Sequence, residues 1–215
     1  MKKILCCILS VLLMTSLLAY PAHAASNNSN SYCGTINLES LISNPNVEVS
    51  DVMSFSEVVE RYAKNAGITY EEALKILPAP AQAYSARAVN YRTYSVSLKV
   101  NDEYIPRLEF YCETAEGGHF FNILSIYSVQ LVRSYNGTSY QFGGDIEVWL
   151  RSSHSIEYVV NGDFYYNGTT TSTGSTGLDV GLSDSCKISY SASNTYSSNH
   201  YDYFYEHDTL QVGGT

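Results

Sequence analysis

One short run near the C-terminus gathers residue types that hold metals and move protons: His200, Asp202, Glu206, His207 and Asp208. On an extended backbone successive side chains alternate, so His200, Asp202 and Glu206 share one face and His207 takes the other. A metal needs its ligands to converge at about 2–2.6 Å, and a straight strand does not provide that. The expectation is a solvated strand face with no metal and no cofactor. Five carboxylates, Glu109, Glu113, Asp145, Glu147 and Asp163, offer candidate pairs for acid–base cleavage of a glycosidic bond, which needs two carboxyls about 5–10 Å apart. His119, which follows Gly117-Gly118, and Cys112 raise the thought of an imidazole–thiol pair, but alternation turns Cys112 inward. No Gly-x-Ser-x-Gly elbow and no His-Glu-x-x-His helix occurs. No catalytic residue is assigned.

Recognition chemistry is better represented. Tyr201, Tyr203 and Tyr205 alternate along the same run and predict an aromatic strip. Trp149, beside Arg151, is expected on a wet strand face. Tyrosine and tryptophan combine apolar area with a polar handle, which suits saccharide and protein surfaces. These four are the candidate binding residues. Sheet packing accounts for the same rings. Cys112 and Cys186 each fall on the apolar side of a strand and form a candidate disulfide, with two buried thiols as the alternative. Residues 169–185, rich in Thr, Ser and Gly, resemble in composition a membrane-inserting ribbon. Only Leu178, Val180 and Leu182 supply a lipid-facing side, too few for a crossing.

These residues belong to a chain of 215 residues with a formal charge of −9 and 15% charged residues. It is too aromatic for disorder and too acidic to hold nucleic acid by charge. Residues 1–24 have a basic start at Lys2-Lys3, an apolar run and Ala22-His23-Ala24, the three parts of a secretory signal peptide. Removing them takes two lysines and no acid, moving the charge from −9 to −11. Cys33, Cys112 and Cys186 remain, an odd number for an oxidising compartment. No stable membrane span is expected after cleavage. Release from the cell by Gram-positive-type export follows, and the chain is similar in type to small exported bacterial proteins.

Residues 25–50, rich in Asn and Ser, predict a flexible arm. Residues 51–77 predict a helical hairpin. Ser54 with Glu57, and Thr69 with Glu72, each fit a capping box, and Gly67 fits a stop between them. The stripes are Phe55, Val58, Val59, Tyr62 and Ala63, then Tyr70, Ala73, Leu74 and Leu77. Two such short helices must dock on something to persist. Residues 78–88 predict a linker.

From 89 to 215 the text alternates in period two. Asn136-Gly137 predicts a type I′ turn. Pairing outward from it sets Leu131, Tyr127, Ser125 and Ile123 against Phe142, Ile146, Val148 and Leu150. Asn161-Gly162 predicts a second hairpin and Asn167-Gly168 a further turn. About eight to nine strands result, in an antiparallel β-sandwich or barrel-like body. The expected function is a non-enzymatic extracellular module that binds a cell-surface glycan or protein. The alternatives are an exported bacteriocin-like or pore-forming toxin with residues 25–88 as a pro-segment, and a polysaccharide hydrolase.

Overall fold

The computed structural model describes residue 44 and residues 46–77, 89–117, 120–173 and 180–212. The expected signal peptide (1–24), the expected linker (78–88), Cys33, His119 and Leu178 lie outside them. Helix α1 (Phe55–Ala66) starts at Ser54, whose side chain accepts from the Glu57 N–H while Glu57 reaches back to the Ser54 N–H. Gly67 ends it at φ 68°, a left-handed conformation that glycine adopts without a Cβ clash. Helix α2 (Tyr70–Ile76) repeats the box with Thr69 and Glu72. Val58, Val59, Tyr62 and Ala63 are buried, as are Ala73 and Leu77, whereas Leu74 stays exposed. Their partners are Tyr91, Tyr111 and Tyr127. The helices therefore find their support on a sheet face.

That sheet has four strands, β1 (Val47–Val49), β2 (Asn90–Ser97), β3 (Arg107–Gly117) and β4 (Phe120–Val132), in the order β1-β2-β3-β4. A two-residue ladder, β5 (Ser134–Tyr135) with β6 (Thr138–Ser139), follows. The second large sheet holds β7 (Gln141–Ser152), β8 (Ser155–Tyr165), β9 (Thr170–Thr173), β10 (Ser185–Ala192) and β11 (His200–Gln211), in the order β11-β8-β7-β10-β9. Every ladder is antiparallel, and none of the described sheets closes on itself. Leu108, Phe110, Ile126 and Val129 from the first sheet join Phe142, Ile146, Tyr158 and Phe164 from the second in one apolar cluster. The fold is mainly β, with two preceding helices.

Several expectations change. Within the predicted arm, Val47–Val49 forms an edge strand on β2, because Val47 and Val49 pack against the core. The Asn136-Gly137 turn exists, with φ 48° and 78°. It closes only the short ladder in which Ser134 pairs with Ser139 and Tyr135 with Thr138. Beyond it the chain separates: β4 pairs with β3, and β7 pairs with β8 and β10. Leu131, Ile123, Phe142, Ile146, Val148 and Leu150 do all enter the core. Alternation reports which side of a strand is dry, and strands on opposite sides of a core satisfy it as well as hydrogen-bonded neighbours do. Register shifts opposite Tyr111/Cys112 and Glu113/Thr114 break the period of β4. Ile126 thereby enters the core and Tyr127 turns under the helices, the reverse of the expected faces.

Asn161-Gly162 is no turn. Both residues lie inside β8, where Asn161 pairs with Asp145 and Gly162 with Gly144. A Cβ on Gly162 would lie 2.5 Å from the Gly143 carbonyl oxygen and 2.7 Å from the Phe142 ring. Glycine here permits close approach of two strands. The β7–β8 reversal occurs at Ser153-His154 instead. Cys112 and Cys186 are both free thiols. Cys112 belongs to the four-stranded sheet and is fully buried; Cys186, half-buried, belongs to the other sheet, opposite Val148. Burial pushes the Cys186 thiol up to about 11 and that of Cys112 higher still.

Candidate functional site

The five-stranded sheet has a face turned away from the core, and three of the four candidate binding residues stand on it. In β7, Ile146, Val148 and Leu150 point inward, so Asp145, Glu147 and Trp149 point outward. The ladders carry this face across the sheet. Tyr205 sits beside Asn161, then Asp145, then Ser189; Tyr203 sits beside Asp163, and Trp149 beside Glu157. Tyr203 and Tyr205 are 54% and 57% exposed.

The polar groups between the rings are held in defined partnerships. The Tyr203 hydroxyl donates to Asn161 Oδ1 at 2.9 Å. The Arg151 guanidinium lies 5.0 Å from the centre of the Trp149 ring, a cation–π distance, and donates to Glu157. His207 Nε2 is 2.8 Å from Glu157, and His200 Nε2 is 2.9 Å from Asp163. Lys187 bridges Asp145 at 2.9 Å and Glu147 at 3.4 Å. The Ser189 hydroxyl, then Lys187, hold the Asp145 carboxyl below its ordinary range; Arg151, then His207, do the same for Glu157. The face thus offers aromatic surface and polar groups fixed by ion pairs and hydrogen bonds.

Tyr201 departs from the predicted strip. A register shift between His200 and Asp202 takes it out of line. Its ring stacks on Tyr140 at 3.9 Å and meets the edges of Tyr104 and Tyr166. Its hydroxyl exchanges hydrogen bonds with the Asn101 amide. It packs against the core as part of an aromatic cluster that the sequence conceals, since Tyr104, Tyr140, Tyr166 and Tyr201 are far apart and follow no local period. The other residues of the C-terminal run also take separate partners: Asp202 meets Asn101, and Glu206 accepts from the Tyr158 hydroxyl at 2.6 Å. Among the described residues no group of three or more His, Cys, Asp or Glu is placed to hold a metal ion.

The five carboxylates considered for hydrolysis fall on two sheets. Asp145, Glu147 and Asp163 lie on the face above. Glu113 lies on β3, accepting from Tyr91 and Ser125. Glu109 is fully buried beneath α1, where Arg61, Arg107, Asn65 and Tyr111 all donate to it. Burial pushes its carboxyl up, but Arg61 and Arg107 outweigh that and leave it below the ordinary range. In the Thr/Ser/Gly segment, Val180 pairs with Ile126 and is buried, and Leu182 is exposed. No described helix is long and apolar enough to cross a membrane.

Comparison with protein-family models, with curated proteins and with solved structures finds no match.

Proposed function

We infer that the chain is an exported, non-enzymatic binding module whose outward sheet face recognises a cell-surface glycan. In this reading the two large sheets over their common core are a β-sandwich scaffold. The observation that carries it is the placement of Trp149, Tyr203 and Tyr205 on one exposed face, with amide, hydroxyl and paired charged groups between the rings. Flat rings cover the apolar faces of sugars, and fixed polar groups satisfy sugar hydroxyls.

The test is saturable binding of the secreted chain to glycan arrays and to envelope fractions. Replacing either Tyr205 or Trp149 by Ala is expected to weaken binding about tenfold, the loss of one aromatic contact of about 1–1.5 kcal/mol. Failure to bind any glycan or envelope fraction would sink the reading. Capture by a protein component alone would move it to a protein partner. N-terminal sequencing of the secreted form, with a liposome-leakage assay, separates it from a toxin carrying a pro-segment.

A further inference from the structure

A second site lies away from that face. A cleft of about 470 Å³ opens where the helical hairpin, the end of β4, the β5–β6 ladder and strands β9 and β10 meet. Its size falls within the ~300–1,000 Å³ of small-ligand sites. Lys64 and Arg133 line it, together with hydroxyl and amide side chains that include Gln130 and Ser139 and the tyrosines Tyr62 and Tyr190. Among the described residues no aspartate or glutamate lines it, although the chain as a whole carries −9.

Arg133 is the informative residue. Among the described arginines, Arg61 and Arg107 pair with Glu109, Arg92 with Glu116 and Arg151 with Glu157. Arg133 alone pairs with no described carboxylate. Its guanidinium donates from Nη1 to the Tyr140 carbonyl at 3.0 Å and to Gln141 Oε1 at 2.7 Å, both neutral acceptors. A half-buried cation without a counter-charge is held at a cost that an anion relieves. Guanidinium also has a fork of donors that matches a carboxylate. Gln130 adds a polar amide, whose Oε1 lies 2.9 Å from the Tyr111 hydroxyl oxygen. The cleft therefore combines positive charge, neutral polar groups and rings.

We propose that this cleft binds a small hydroxyl-rich carboxylate, of the sugar-acid class, with the carboxylate on Arg133 and the hydroxyls on the neutral polar wall. The site is independent of the Trp149 face, and neither reading requires the other.

The experiment is calorimetric titration of the secreted chain with glucuronate, beside glucose, acetate and inorganic phosphate. Glucuronate is expected to bind saturably, and glucose and acetate at least tenfold more weakly. Arg133→Gln is expected to weaken glucuronate at least tenfold. Because Arg133 also ties Tyr140 and Gln141, a second variant, Ser139→Trp, obstructs the cleft from an exposed rim position and leaves that tie intact. It is expected to lose glucuronate with an unchanged melting temperature, while Tyr205→Ala retains it. Absence of saturable glucuronate binding overturns the proposal. So does binding that survives both cleft variants, or phosphate and acetate binding as tightly as glucuronate.

Discussion

Glu109 is the residue on which the attachment of the helices turns. It receives two guanidinium groups, an amide and a phenol in a space where water does not reach it. Removing its charge leaves Arg61 and Arg107 facing a neutral group. A fully buried broken pair costs about 3–5 kcal/mol. Here the arginine side chains remain 34% and 38% exposed, so Glu109→Gln is expected to cost less, about 2–3 kcal/mol, in chemical denaturation. The pH dependence has a definite sign. A carboxyl whose folded pKa is depressed contributes stability above its unfolded pKa of about 4.3, and that contribution is lost as pH falls through the folded value. The gap between the parent chain and Glu109→Gln is therefore expected to be full at pH 7 and to shrink below about pH 4.

At the scale of elements, glycines divide the β body into places where the chain turns and places where strands touch. Gly137 has φ 78° and open space around its Cβ position, so Gly137→Ala meets only the left-handed backbone penalty of about 1–2 kcal/mol. A Cβ added at Gly162 would meet backbone of the neighbouring strand at 2.5 Å. Gly162→Ala must separate β7 from β8 at the centre of their ladder, and a loss of about 3 kcal/mol or more is expected. Thermal melting of the two variants side by side measures the difference. The two Asn-Gly pairs are identical as dipeptides. The first sits in a tight two-residue loop, whereas the second is flanked by long apolar alternation on both sides and by partners on both edges. Local chemistry permits a turn at either, and only the sheet around it decides.

At the scale of the molecule, the helical hairpin serves as the outer layer of the four-stranded sheet. It covers Tyr91, Tyr111 and Tyr127 and supplies Arg61 and Asn65 to Glu109. A chain restricted to residues 89–215 would open that surface to water and strip Glu109 of one arginine. It is expected to bind a hydrophobic dye and to associate on size-exclusion chromatography, where residues 25–215 elute as a single species. Equal behaviour of the two would mean that the sheet does not depend on its helical cover.

Local rules made a good deal legible. Both capping boxes, the left-handed stop at Gly67, the buried stripe of α1 and the outward side of Trp149 follow from periods of 3.6 and 2 and from side chains that reach only three residues, whereas the period left open whether Tyr203 and Tyr205 pack or face out. The same rules assigned Ile146, Val148 and Leu150 to the core. They did not say which strands are hydrogen-bonded, because burial on one face is the same whether the partner lies beside the strand or across the core. They placed Tyr201 with Tyr203 and Tyr205 because one register shift at His200/Asp202 leaves no mark in the spacing. The aromatic cluster around Tyr201 and the cleft around Arg133 draw on residues from many elements. Proximity of that kind is set by how the sheets and helices pack, and only the tertiary structure holds it.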